Sequence, residues 1–373
     1  MKRYAVFFPQ FYRIPINDSA WGDGFTDWVL VAAANAFNYW KRRCPRSGFY
    51  DLSKESDIRN QFDLASSAGL DGFAIYHYRF DDGPELDAVE RYLQTHSPPV
   101  GFKYFFVWAN ESWSRRWAGE STQILKHSSN APNRGQVSCH VRYLRCHMES
   151  DSYANFMGRP MFVLYRPESL IDLPSTMKLY REEFEHIGIR PSIGLFVKNA
   201  LDAQYSRYFD FCYLFEPRLF FNAHGIRKRR FVQKLYSEMM HIIPYERIEW
   251  LSESLNRRIA GGPTRYSFAE FLTYFTSAER DKLLRSLDCP VQNVLTCGWN
   301  NAPRYRHRFT EVEVPDSNEF SIMLMAALEN RACSTDIPLL CNAWNEWSEG
   351  AALEPCSYLG CRLLNSYLSN GES

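Results

Sequence analysis

Residues 337–350 read Ile337-Pro338-Leu339-Leu340-Cys341-Asn342-Ala343-Trp344-Asn345-Glu346-Trp347-Ser348-Glu349-Gly350. An apolar run of strand length gives way at once to amides, acids and indoles. Apolar residues without polar alternation suit a strand covered on both faces, as in a parallel sheet. The cluster that follows makes a poor structural element and a good sugar site. Carboxylates exchange protons with hydroxyls, and indole faces stack on pyranose rings. If the segment takes a helical turn, Glu346 and Glu349 stand at i and i+3 on one face, with side chains about 5–6 Å apart. Retaining glycosidases hold their two carboxylates at a similar separation, roughly 5–5.5 Å. The competing reading is a solvated Glu pair beside a core Trp pair.

The same pattern recurs along the chain. Candidate strands are Tyr4–Phe8, Gly72–Tyr78, Phe102–Ala109, Pro160–Tyr165, Ser192–Phe196, Phe211–Phe215, Val291–Thr296 and Leu339–Asn342. Amphipathic stretches such as Ser56–Ala68, Ser175–Ile187 and Glu319–Arg331 lie between them, with Gly69 placed to end the first. Strands alternating with helices predict a parallel sheet, and eight of them predict an α/β fold of the (β/α)8 TIM-barrel type. We read 1–373 as one barrel. The interval 217–290 is too long for a simple βα connection and is read as an insertion on the top face. It holds helical patterns near Phe231–Met240 and Phe268–Phe275 and the basic run Arg227-Lys228-Arg229-Arg230. Such a run is either a solvated helix face or a contact for phosphate or an acidic glycan.

In a barrel of this kind the residues just after each strand gather at one rim and form the active site. Those positions supply Gln10 and Trp21 after the first strand, and Tyr76, His77 and Tyr78 at the end of the second. The third supplies Trp108, Asn110, Glu111 and Arg115, the fourth Tyr165, and the sixth Glu216. The seventh supplies Trp299 and Arg304, and the eighth Asn342, Trp344, Asn345 and Trp347 around the two acids. Glu346 and Glu349 are the candidate catalytic pair and the others candidate substrate contacts. His77, between two tyrosines, reads equally as a base or as a satisfied core residue.

The composition narrows the alternatives. Net charge is zero, with 43 basic and 43 acidic residues, so nothing asks for nucleic acid or an anionic membrane. Aromatics reach 16%, more than a core requires, which suits carbohydrate binding. No stretch has the roughly 18 apolar residues of a membrane helix. The start lacks the length and cleavage site of a signal peptide, and the ten cysteines lack secreted-domain spacing. A cytoplasmic location is the expectation. Cys139-His140 and Cys146-His147 share a helix face, but zinc sites favour tighter Cys-x-x-Cys spacing, and no metal is expected there. Dinucleotide, P-loop, nucleophile-elbow and His-Glu-x-x-His motifs are missing, as is Asp-x-Asp.

Three segments carry a resemblance. Phe8-Pro9-Gln10-Phe11-Tyr12 with Trp21-Gly22-x-Gly24-Phe25-Thr26-x-Trp28 is the first. Trp108-Ala109-Asn110-Glu111-x-Trp113-x-Arg115-Arg116-Trp117 is the second. The third is Trp344-Asn345-Glu346-Trp347-x-Glu349-Gly350 with Leu353-Glu354-Pro355. Together they resemble the WbsX family of surface-polysaccharide gene clusters, often labelled glycosyltransferases and related to glycoside hydrolase family 99, the endo-α-mannosidases. The resemblance runs from about Tyr4 to Tyr367. It implies a barrel that works without metal or cofactor, and it adds Glu354 to the substrate contacts. It also implies roles: Glu346 as base on the substrate's 2-hydroxyl, whose oxygen attacks the anomeric carbon, and Glu349 as acid on the leaving group. That division needs an ionised first Glu and a raised pKa on the second, a split that neighbouring carboxylates produce. Two positions depart from the pattern. Residue 348 is Ser where family 99 hydrolases tend to have His, and residue 356 is Cys where WbsX relatives usually carry Asp.

Three functions are thus expected to compete. The first is a retaining glycosidase or transglycosidase acting on a bacterial-type polysaccharide or its precursor. The second is a glycosyltransferase of lipopolysaccharide O-antigen or capsule assembly, and the third a non-catalytic glycan-binding barrel. The expected partners are a glycan or sugar-donor substrate and, peripherally, polysaccharide-assembly machinery.

Overall fold

Eight segments rich in Val, Ile, Leu, Phe and Tyr form parallel strands: β1 (Arg3–Phe7), β2 (Gly72–Phe80), β3 (Lys103–Trp108), β4 (Arg159–Leu164), β5 (Ser192–Val197), β6 (Phe211–Phe215), β7 (Val291–Thr296) and β8 (Leu339–Asn342). The structure is a computed structural model that describes residues 1–36, 43–115, 120–224, 262–305 and 308–369. Each strand pairs in parallel with its sequence neighbour, and β1 pairs with both β2 and β8, so the sheet closes into the expected barrel. Closure leaves no edge among these strands, and their residues are buried on both faces. No strand boundary departs from the sequence reading by more than two residues.

Helices pack outside the barrel, and their starts show where local chemistry overrides periodicity. The helix expected from Glu319 begins at Ser317. Asp316 accepts from the Glu319 amide at 2.8 Å and Glu319 from the Asp316 amide at 2.9 Å, a reciprocal cap that draws the start back. The helix expected from Ser175 begins at Leu173, because Pro174 is tolerated in the first turn and Asp172 caps it. The helix Glu55–Ser67 closes at Ala68, with Gly69 next as read. On the helix Arg134–Met148, His140 and His147 are buried while Cys139 and Cys146 face outward, so these four side chains do not converge.

Of the interval 217–290, residues 225–261 lie outside the described ones, and with them the basic run and the expected helix at 231–240. The helix Phe268–Phe275 forms as read. The short strand Thr264–Tyr266 pairs with Thr310–Val312, which in turn pairs with Trp299–Asn300 just beyond β7. The C-terminal flank of the insertion is therefore stitched to the rim at the carboxyl ends of the strands. Among the described residues no helix is long and apolar enough to cross a membrane.

Gly72 marks a tight point of closure. It stands opposite Tyr4 on β1 and Lys103 on β3, and a Cβ there would come within 2.3 Å of the Lys103 carbonyl oxygen and 2.7 Å of the Tyr4 ring. Gly72→Ala is expected to cost about 1–3 kcal/mol in urea unfolding, the usual range for overpacking. An unchanged midpoint would show that the strands can spread.

Candidate active site

After β8 the chain does not run on into a helix. Glu346 and Ala351 exchange backbone hydrogen bonds at 3.0 Å each, Trp347–Glu349 makes one 3₁₀ turn, and Gly350 closes it at φ +66°. A left-handed residue is needed there, which is why a glycine follows the second acid. The turn puts Glu346 and Glu349 on one side and drives Trp347 into the core beneath.

Both acids converge on Arg304, from the short helix Ala302–Tyr305 after β7. Its Nη1 donates to Glu349 Oε1 at 2.6 Å, and its Nη2 lies 3.4 Å from Glu346 Oε1 and 3.1 Å from Asp27 Oδ2. Gln10, beyond β1, donates to both Glu346 oxygens at 3.1 and 3.2 Å. Ser348 Oγ is 2.6 Å from Glu346 Oε1 and 3.2 Å from Asp27 Oδ2. Arg218, in the helix Arg218–His224 after β6, has a guanidinium nitrogen 3.9 Å from Glu349 Oε1 and lies over the Trp299 ring at 4.9 Å.

Three carboxylates face the largely enclosed Arg304, with the more exposed Arg218 reaching only Glu349, which leaves an excess of negative charge with little water to screen it. Burial, reinforced by Glu349 and Asp27 and opposed by Arg304, pushes the Glu346 carboxyl up to about 8. Burial also raises Asp27, against the pull of Arg304. Burial works against the charge of Arg304 as well, but Glu346, Glu349 and Asp27 outweigh it and hold the guanidinium protonated. The sequence reading expected an ionised Glu346; in the free protein the enclosure favours its protonated form near neutral pH.

A family model described as glycosyltransferase WbsX matches residues 3–367. The chain belongs to the WbsX family. Two curated relatives, both named uncharacterized protein WxcX, come from Xanthomonas campestris pv. campestris, strains ATCC 33913 and B100. Each is 26% identical over 371 residues, covering 97% of this chain and 48% of the relative. The chain thus spans about half the length of the curated relatives it matches. Two structures of the GH99 endo-alpha-mannosidase from Bacteroides thetaiotaomicron share the fold. One, in complex with bis-tris-propane, has a TM-score of 0.55 at 13% identity and covers 95% of this chain and 87% of that one. The other has a TM-score of 0.56 at 12% identity, with 98% and 93% covered.

Several expected substrate contacts of this WbsX family member are engaged elsewhere. Trp344 and Trp347 are fully buried, so neither indole face is open to a sugar. Trp344 donates to Gln61 at 2.7 Å and Trp347 to Glu354 at 2.8 Å. Glu354 also accepts from Gln61 at 3.0 Å and Tyr50 at 3.1 Å, and burial holds its carboxyl at about 7. These residues form a floor under the acids. Asn345 bonds both the N–H and C=O of Phe8, at 2.8 and 3.0 Å, extending the β1–β8 ladder by a side chain. Asn342 donates to the Glu216 carbonyl at 3.1 Å, and Glu216 is locked to Arg280 at 2.9 Å. Trp108 packs among His140, Phe162 and Tyr180, and Asn110 bonds the backbone of Arg166 and the Ser169 hydroxyl. His77 is a core residue between Glu90 and His140, at 2.8 and 2.9 Å.

The rest stay at the rim. Glu111 pairs with Arg166 at 2.5 Å, and Arg115 lies over the Trp21 ring at 5.7 Å. Tyr76 stacks on Phe8 and meets Tyr165 edge-on, while Tyr78 meets Trp113. Tyr165 faces Lys198, whose ammonium is 4.3 Å from its ring centroid. The sequence reading missed Asp27, Arg218 and Lys198 as site residues. Asp27 sat inside the Trp21–Trp28 motif and Arg218 two residues beyond Glu216, so both carried a positional signal.

Two outcomes follow from this geometry. Folded Glu346 keeps its proton to about pH 8, whereas the unfolded residue loses it near its ordinary 4.5. The folded state then binds more protons between those values, so stability falls as pH rises through them. Glu346→Gln should flatten that slope, gaining on the order of a few kcal/mol over the native protein at pH 8 and little at pH 4 in urea unfolding. Glu354 titrates in the same window, so a residual slope remains. Arg280→Met strands a buried Glu216 and should cost about 3–5 kcal/mol of stability. A normal unfolding midpoint would return Glu216 to the candidate contacts.

Proposed function

We propose that this chain is a carbohydrate-active enzyme acting on a bacterial-type surface polysaccharide or its precursor, with retaining glycosidase or transglycosidase chemistry on the Glu346/Glu349 pair. The observation that carries this reading is the pair itself. Two carboxylates on one turn, at the strand carboxyl ends of a barrel, are bridged by a single guanidinium, and the family is named for glycosyl transfer. In the proposed step Glu346 removes the proton of the sugar's 2-hydroxyl, and that oxygen attacks the anomeric carbon. Glu349 gives a proton to the departing oxygen. Water or an acceptor hydroxyl, deprotonated by Glu349, then attacks the anomeric carbon and opens the anhydro-sugar while Glu346 returns its proton to the 2-oxygen, so that both carboxyls regain their starting states. Arg304 would hold the acids at fixed spacing while charge moves between them. Gln10, Trp21, Tyr78, Glu111, Arg115 and Tyr165 are the contacts we assign to substrate around them. The described flank of the insertion, residues 262–290, is proposed to belong to the same face.

The family description favours a second reading, in which the barrel transfers a sugar from an activated donor during O-antigen or capsule assembly, in contact with that machinery.

Glu349→Gln should lower turnover of a susceptible polysaccharide by at least about 10³-fold while glycan affinity changes only a few-fold. An active variant would sink the assignment. A panel of nucleotide-sugars separates the two readings: nucleotide release or saturable nucleotide binding supports transfer from an activated donor. Glycan release with none of either supports the glycosidase. Glycan binding with no turnover of any kind would leave a binding barrel.

A further inference from the structure

Asp27 and Glu346 reach the same two groups from opposite sides. Ser348 Oγ is 2.6 Å from Glu346 Oε1 and 3.2 Å from Asp27 Oδ2, and Arg304 Nη2 is 3.4 Å and 3.1 Å from the same two oxygens. The four atoms close a ring. A serine hydroxyl has one hydrogen and donates once. With both carboxylates ionised, Ser348 can satisfy one and must turn lone pairs toward the other. Both of its links are hydrogen bonds only when one carboxyl carries a proton and donates to the serine, which donates onward.

We propose that Asp27 and Glu346 hold a single proton between them through the Ser348 hydroxyl, and that Asp27 is the positioning residue that frees Glu346 to act as a base. The transfer balances without any outside reagent. The Glu346 O–H breaks as a new Ser348 O–H forms, and the original Ser348 hydrogen passes to Asp27. Glu346 is then a carboxylate beside substrate, and the total charge of the pair is unchanged. Its meaning for catalysis rests on the function proposed above, but the shared proton is a property of the free protein.

The surroundings support a proton held on this pair. Glu346 faces Arg304, Gln10, Ser348, Glu349 and Asp27, with Tyr78 approaching from β2. Asp27 faces Arg304 and Ser348, with Glu349 nearby. Among the described residues Asp27, Glu346 and Glu349 face Arg304, with Arg218 3.9 Å from Glu349 at the more exposed edge, so full ionisation leaves an excess of negative charge in a low-dielectric setting.

Carbon-13 NMR of the whole protein, labelled at the Asp and Glu side-chain carboxyls, tests this, with assignments from D27N and E346Q. Both native signals should move together at the midpoint where the pair loses its shared proton, as coupled groups do. Ser348→Ala should split that midpoint by about one pH unit or more, and Ser348→Thr, which keeps the hydroxyl, should restore it. Asp27→Asn should lower the Glu346 midpoint by a similar amount, since a negative neighbour has gone. A Glu346 midpoint unmoved in both S348A and D27N, with an Asp27 signal silent through it, overturns the proposal. If D27N does not fold, the S348A and S348T pair decides alone. Loss of turnover in Glu349→Gln beside an unmoved Glu346 midpoint would keep the functional reading and remove this one. A split midpoint in a protein without turnover does the reverse.

Discussion

Strand β1 is paired on both sides, and the rest of the molecule depends on that double pairing. Tyr4 stands opposite Gly72 of β2 on one side and Leu340 of β8 on the other, so one short strand sets the height of the first and last units of the barrel. Below, the Arg3 guanidinium donates to the carbonyls of Tyr367 and Ser369, at 2.7 and 2.8 Å, and the Tyr367 hydroxyl is shared between the carbonyls of Tyr4 and Leu339. Above, Asn345 carries the ladder one step past the strands by bonding Phe8 with its amide. Because the register is held at both ends, Gln10 arrives beside Glu346, although 336 residues separate them along the chain.

Buried acids in and around the rim are handled in three ways. Glu216 has a dedicated cation, Arg280, which also holds Asn293. Among the described residues no cation pairs with Glu354, which is instead surrounded by neutral donors from Tyr50, Gln61 and Trp347. Asp27, Glu346 and Glu349 share Arg304, with the more exposed Arg218 reaching only Glu349, and remain short of positive charge among the described residues. The first two arrangements settle their acids, as structural groups should be. The third leaves proton affinity to spare, a condition that suits groups whose work is to gain and lose protons.

Much of the fold could be read in the sequence because its signals are local. A strand buried on both faces needs a run such as Phe73-Ala74-Ile75-Tyr76, and reciprocal caps such as Asp316 with Glu319 need only four residues. The candidate site was legible in part. Glu346, Glu349 and Arg304 could be listed from strand ends, and they do meet. The indoles could not be judged that way. Trp344 and Trp347 look as well suited to a sugar as to a core, and only the turn through Ser348 shows that both point down.

The sequence by itself determined the number, order and limits of the barrel strands and the closeness of two acids on one turn, since each follows from spacing along a few residues. The tertiary structure alone decided which faces those residues present. It turned two tryptophans, Glu216 and Glu354 into supports, and it carried Asp27, the first residue of the helix Asp27–Ala36, across to Ser348, 321 residues away in the chain. Exposure and proton affinity depend on what distant segments bring into contact, and no local pattern encodes them.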